Sequence, residues 1–306
     1  MTGRPFRFAL QAMDLADRDT VARVAREAED LGYEEFYSYD HLGAVDPFIP
    51  LIVAAEATST LRVGPLVLNN EFHHPALLAR TVATVDRMTG GRVVLGIGTG
   101  YAQLEHDASG IVLRRPGPRV DRLEESLVAL RSLLDDGAVE MQGTHHRLSI
   151  TNLGVRPIQA HMPLLLGGHG RRVVQIGGRM ADIFQFTGLT HGPDGNPHPG
   201  GFDLESIKER AMWLSDAAGE RDADIERSVL VQRTHIGHGA DAALDESARL
   251  LGADRQVVES TPFLLYGSVE QVVDRLESLR ASIGISHVVV RDAAGFAPVV
   301  DRLAGR

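Results

Sequence analysis

The stretch that most constrains this chain is Arg62 to Glu105, RVGPLVLNNEFHHPALLARTVATVDRMTGGRVVLGIGTGYAQLE, which holds a complete strand–helix–strand unit. The apolar run RVGPLVL leads into a helix opened by Pro75, whose fixed φ suits a first turn and whose missing N–H costs nothing there. Leu78, Val82 and Val85 recur at helical spacing along it. After Gly90-Gly91 a second strand, RVVLGI, runs into Gly98-Thr99-Gly100. In parallel α/β proteins a ligand is expected beyond the carboxyl end of such a strand. Glycines at that point let backbone approach a ring or a phosphate with no side chain between.

The alternation continues on both sides. Phe6 to Gln11 reads as a first strand, and Asp19 is placed to cap a helix with Val21, Val24, Ala25, Ala28 and Leu31 on its apolar face. Glu35 to Tyr39 is a second strand ending at Asp40-His41, and residues 47–58 form a short helix. The next helix after GTG is expected well downstream, over Arg119 to Leu134, with Leu123, Leu127, Leu130 and Leu134 in register. Strands follow at 163–166, 182–185 and 229–236, with helices at 171–178 and 204–218. Ser268 to Gln271 is a capping box opening a helix that Gly284 ends, and HVVVR supplies the last strand. About eight strands alternating with helices give either a closed (β/α)8 TIM barrel or an open doubly wound sheet. The barrel is preferred, because strands and helices continue evenly to the end. One domain over residues 1–306 is expected, with insertions near 138–156, 188–203 and 239–264.

Composition narrows the function. A formal charge of −10 argues against non-specific nucleic-acid binding, which needs positive charge facing phosphate. The absence of cysteine removes disulfides and thiolate nucleophiles together. The start MTGRPFRFALQAMDLADRD lacks the pattern of a secretory signal, and no run is long and apolar enough to span a membrane, so a cytoplasmic enzyme is expected. The segment GIGTG is spaced G-x-G-x-G and follows the third strand, unlike the dinucleotide fingerprint at a first strand–helix turn. Neither a phosphate-binding G-x-x-x-x-G-K-[ST] loop nor H-E-x-x-H is present. His73-His74 and His145-His146 have no carboxylate or cysteine at ligand spacing, so no metal is expected.

Four motifs in fixed order then become informative: YSYDHL at 37–42, HHPALLARTVATVDRMTGGRVVLGIGTGY at 73–101, LLLGGHG at 164–170, and the terminal GSVEQVVDRL. Together they resemble the luciferase-like flavin superfamily, and within it the branch that uses coenzyme F420, an 8-hydroxy-5-deazaflavin. The resemblance covers nearly the whole chain. It implies a (β/α)8 barrel with insertions, commonly a homodimer, and an oxidoreductase passing a hydride between deazaflavin and a small organic substrate. FMN-dependent monooxygenation on the same scaffold is the alternative, and a non-catalytic binding or oligomerisation barrel is a third.

Residue by residue, His41 is the catalytic candidate, because a histidine beside the ring can take the proton that accompanies hydride transfer. Asp40 is read as orienting the loop or bonding cofactor rather than as an acid. The resemblance places Leu66 and Val67 in a bulged strand behind the ring, with a non-proline cis peptide, and Asn69 at the pocket mouth. It places Gly98, Thr99 and Gly100 against the pyrimidine side of the ring. Gly167, Gly168, His169 and Gly170 follow a strand and open a helix, a ready phosphate site that Arg171 or Arg172 would reinforce. Where deazaflavin sugar-phosphate dehydrogenases carry glutamate after the second glycine, this chain has Tyr101, so sugar-phosphate oxidation is not expected. Tyr101, Glu105, His73 at the rim and His191 in the loop LTHGPDGNPHPGG complete the expected substrate pocket.

Overall fold

A computed structural model of the chain describes residues 3–188 and 200–306, with the backbone alone of 190–191 and 197–198. The first strands are β1 (Arg7–Gln11), β2 (Glu35–Ser38), β3 (Arg62–Pro65), β4 (Leu68–Asn69) and β5 (Leu95–Gly98). A small antiparallel pair, β6 (Val139–Gln142) and β7 (Arg147–Ile150), lies between β5 and β8 (Leu164–Gly168) in the chain. Then come β9 (Ile183–Phe186), the short β10 (Thr190–His191) and β11 (Pro197–His198), β12 (Glu226–Leu230), β13 (Arg233–Ile236), β14 (Leu264–Gly267) and β15 (Ile285–Val290).

Nine of these make one parallel sheet in the order β3-β2-β1-β15-β12-β9-β8-β5-β4. Its two outer members, β3 and β4, are halves of one chain segment. They are separated by Leu66 and Val67, whose peptide bond is cis as the resemblance implied. β3 pairs with β2 and β4 pairs with β5, so this split segment joins the two ends of the sheet into a barrel. A bridge between Val63 and Val93 fastens the same seam. The expected (β/α)8 barrel is therefore present. Of the expected insertions, 188–203 falls partly outside the described residues.

Several elements differ from the sequence reading. The first helix is capped by Asp17, not Asp19, because the Asp17 carboxylate accepts from the N–H groups of Asp19 and Thr20. The run 229–236 is two strands. At Val231 and Gln232 the chain leaves its partner β15 and joins the segment before β14, a change of partner that an apolar run does not reveal. A helix at Gln103–Ser109 starts three residues after Gly100, nearer than expected, and Ala293–Leu303 adds a final helix.

Alternation along the strands sends every second side chain into the barrel. The middle of the interior is apolar, with Ala9, Tyr37, Leu66, Val94, Leu165, Ile183 and Val289 packed together. Towards the amino ends of the strands lies a polar layer. The Arg7 guanidinium bonds the carboxylates of Glu35 and Glu226, and Tyr37 donates its hydroxyl hydrogen to Glu35. His287 Nε2 sits 2.9 Å from Glu35 Oε2, while its Nδ1 meets Ser228 Oγ at 2.8 Å. Burial pushes the Glu35 carboxyl up, but His287, Arg7 and Tyr37 outweigh it and hold the group well below its ordinary 4.5.

A depressed folded value has a definite sign. The stabilisation is complete above the unfolded carboxylate range and is lost as pH falls towards the folded value. Glu35→Gln is expected to cost about 3 kcal/mol at pH 7, since it leaves Arg7 short of a buried partner. It should also flatten the acid limb of a stability–pH curve. Urea unfolding of both proteins between neutral and acid pH measures both effects.

Candidate active site

A cavity of about 500 Å3 opens at the carboxyl ends of the barrel strands. Its floor is Val67. The valine methyls lie over the inner faces of Gly96, Gly98 and Gly167, where side chains would otherwise project; a Cβ on Gly98 would sit 3.0 Å from Val67 Cγ2. Leu66 lines the cavity beside it, with its carbonyl accepting from Gln11 Nε2 at 2.9 Å. Arg291 Nε in turn donates to Gln11 Oε1 at 2.9 Å. The arrangement presents an apolar surface, Val67 and Leu66, bordered by the hydrogen-bonded Gln11 and Arg291.

One wall is a histidine–carboxylate pair. His41 Nδ1 is 2.6 Å from Glu105 Oε1, and the second carboxylate oxygen accepts the Leu42 N–H at 3.1 Å. A carboxylate only accepts, so Nδ1 carries the hydrogen and Nε2 faces the cavity side. There Nε2 meets the Tyr101 hydroxyl at 3.2 Å. Burial, then Glu105, push the Tyr101 phenol above its ordinary value of 10, with Arg291 opposing. Asp40 also lines the cavity, and its Oδ2 takes the Asn69 N–H at 2.9 Å.

Asn69 stands at the mouth with its amide already engaged. Its oxygen accepts the Glu71 N–H, and its Nδ2 donates to His106 Nε2 at 2.9 Å. That tautomer of His106 follows from Nδ1 donating to the Ile111 carbonyl. Gly100 has φ +79° and backs onto Asn69 so closely that a Cβ would overlap the amide oxygen. Both features require glycine there. Thr99 lines the same edge.

Opposite lies the β8 turn. Gly167, Gly168 and His169 line the cavity, and Gly170 caps the helix Arg171–Met180 with no side chain of its own. The first-turn N–H groups of a helix end like this favour an anion. Burial, then Arg210, lower the His169 pKa below its ordinary value. Arg210, on the helix Leu204–Ala218, donates to the Thr187 carbonyl just after β9 at 2.6 Å.

Three expected positions are corrected. Arg171 does not border the cavity; its guanidinium lies 5.5 Å from the Trp213 ring centroid, an aromatic face within easier reach on the outside of the barrel. Arg172 pairs with Asp121 instead. Arg210 is the positive charge that acts on His169. His73 is not at the rim but behind Asp40, its Nε2 3.0 Å from Asp40 Oδ2. The His191 side chain lies outside the described residues. The sequence reading missed Gln11, Arg291, His106 and Arg210. Gln11 and Arg291 carried the same signal as His41, a polar residue where a strand stops. His106 and Arg210 had no signal, because both act across the fold from helices.

A parallel (β/α)8 barrel with a split third strand and a ligand-sized cavity over its carboxyl ends defines the luciferase-like architecture. The family model for luciferase-like monooxygenases matches residues 5–253, and the chain belongs to that family. It is 30% identical over 197 residues to a 5,10-methylenetetrahydromethanopterin reductase of Archaeoglobus fulgidus, a match covering 64% of this chain and 54% of that relative. The chain thus spans about half the length of that relative. An F420-dependent glucose-6-phosphate dehydrogenase of Nakamurella multipartita is 29% identical, over 61% of this chain and 58% of its own. Among solved structures, an F420-dependent secondary alcohol dehydrogenase holding an F420–acetone adduct superposes with TM-score 0.77 at 17% identity, covering 98% of both chains.

The glycine floor yields a direct test. A Cβ on Gly96 would overlap the Pro65 carbonyl oxygen and press on Val67. Backbone cannot rotate aside as a flexible side chain can, so Gly96→Ala is expected to cost about 1–3 kcal/mol or more. Urea denaturation should show it, whereas Gly117→Ala, with nothing within 4 Å of the added carbon, should shift the midpoint far less.

Proposed function

We propose that the protein is a coenzyme F420-dependent oxidoreductase that moves a hydride between the deazaflavin and a small organic substrate. The observation that carries this is that one cavity is lined by a glycine-backed floor, a glycine turn opening a helix and a histidine–carboxylate pair. The residues fit the cofactor. Val67 and Leu66 would support the ring, Gly98 to Gly100 would lie along its edge, and Gly167 to Gly170 would hold a phosphate through backbone N–H groups. Bound there, the deazaflavin supplies a two-electron hydride donor or acceptor.

The chain's own groups do the rest. His41 holds or releases the proton that balances hydride transfer, a role worth about 10²–10⁴-fold in rate. Asp40 ties the end of β2 to Asn69 on the split strand, which keeps His41 facing the floor. The names of the relatives support F420 as the cofactor; an FMN-dependent monooxygenase and a non-catalytic barrel are outcomes that the binding experiment separates. A cytoplasmic homodimer belongs to the same reading. Exposed Leu42, Ile49 and Leu104, close in the chain to His41 and Glu105, are apolar surface that a second copy would cover.

Equilibrium binding followed by F420 fluorescence, with FMN in parallel, tests the proposal. F420 should saturate the protein, with FMN weaker by about tenfold or more. Preference for FMN redirects the reading to a monooxygenase, and binding of neither sinks it. Gly170→Asp sharpens the test. An added Cβ at Gly170 meets nothing within 4 Å, and its φ of −69° suits any residue. Aspartate is itself a good helix cap, so stability should change by only about a few tenths of a kcal/mol. The new carboxylate would occupy the anion position, and F420 affinity should fall by about tenfold or more.

A further inference from the structure

The second half of the His41 wall is unexplained by cofactor binding. Glu105, His41 and Tyr101 form a continuous line of hydrogen bonds, 2.6 Å and then 3.2 Å long, ending at a hydroxyl that lines the cavity. Both carboxylate oxygens of Glu105 are engaged, one by His41 and one by the Leu42 N–H, so the group cannot swing away. The Tyr101 ring meets the imidazole edge-on, with centroids 5.8 Å apart. Asp40 is committed to Asn69 and His73, the Tyr39 ring lies 6.1 Å from that of His41, and Arg291 stands near the phenol.

We propose that Tyr101 is the catalytic residue that exchanges a proton with a substrate oxygen, that His41 passes this proton on, and that Glu105 is the positioning residue that sets the His41 tautomer. The inference rests on the oxidoreductase reading and takes alcohol–carbonyl pairs as its substrate class, because hydride loss from an alcohol carbon needs a partner for the hydroxyl proton, which a hydroxyl backed by an imidazole supplies. In the oxidising direction the substrate O–H bond breaks and its proton bonds to the Tyr101 oxygen. The former Tyr101 proton moves to His41 Nε2, giving an imidazolium beside the Glu105 carboxylate. The substrate C–H electron pair leaves as hydride to an oxidised deazaflavin as C=O forms, and His41 then returns its proton to water. Reduction runs the same steps in reverse with a reduced deazaflavin. The raised phenol keeps its hydrogen at neutral pH, as a donor in reduction must.

Nitrogen-15 NMR of labelled histidine in the cofactor-free protein reads the relay without turnover. Neutral His41 should hold its hydrogen on Nδ1. Glu105→Ala should move most of it to Nε2, and Tyr101→Phe should shift the Nε2 resonance while leaving the Nδ1 tautomer in place. With F420 and propan-2-ol as the probe, Tyr101→Phe should lower kcat by about tenfold or more. F420 affinity should stay within about twofold. Adding His41→Ala to Tyr101→Phe should cost little beyond the larger single effect, as groups acting in one chain do. A wild-type His41 found with Nε2–H, an Nε2 signal blind to Tyr101→Phe, or unchanged kcat in that variant each overturns the relay. Loss of F420 binding overturns the cofactor reading instead, and the cofactor-free spectra still decide the relay.

Discussion

The molecule depends on a close approach of two chain segments inside the barrel. Across the seam, Gly64 of β3 faces the Val94 carbonyl, Gly96 of β5 faces the Pro65 carbonyl, and Gly100 faces the Asn69 amide oxygen. At each of these positions a methyl group would overlap an oxygen. The three glycines let the split third strand lie against the fourth without side chains between them. This contact closes the sheet, and it also turns Val67 inward over Gly96, Gly98 and Gly167. Barrel closure and cavity floor are therefore one packing event.

The barrel interior is polar at both ends, for opposite reasons. At the amino ends Glu35 and His287 are fully buried and held by Arg7, Tyr37 and Ser228. At the carboxyl ends His41 is 39% exposed and Glu105 18%, in an otherwise similar histidine–carboxylate pair. Proton transfer in a catalytic cycle needs exchange with solvent, which the first pair is denied and the second retains. Burial, rather than residue type, separates the pair sealed in the interior from the one that solvent and a ligand can reach.

The strand-end rule explains how much of this was legible in the sequence. Parallel strands alternating with helices, a glycine pair at the end of β5 and a glycine turn after β8 mark, in the sequence alone, the glycines that line the cavity. The motif order carried the split third strand. What the sequence did not show was partnership across the fold. Arg171 sits next to the glycine turn in the chain, yet its guanidinium lies over Trp213, while Arg210, from a different helix, is the charge that acts on His169. His73 looked like a rim residue and instead braces Asp40 from behind. Glu105 was a carboxylate near the pocket; only the short helix at Gln103–Ser109 turns it onto His41.

That short helix also bears on how one scaffold serves several chemistries. The residues that would hold a cofactor are backbone and small side chains: Val67, Gly98, Gly100, Gly167 and Gly168. Their placement follows from strand closure, so they are fixed by the same contacts that fix the fold. Tyr101 and Glu105 lie instead on a loop and a helix that closure does not constrain, beyond the last glycine of the seam. The Glu105–His41 hydrogen bond does not pass through position 101, and neither do the contacts that shape the floor. The glycines that close the seam end at Gly100, and the substrate pocket proposed for this chain begins at the next residue.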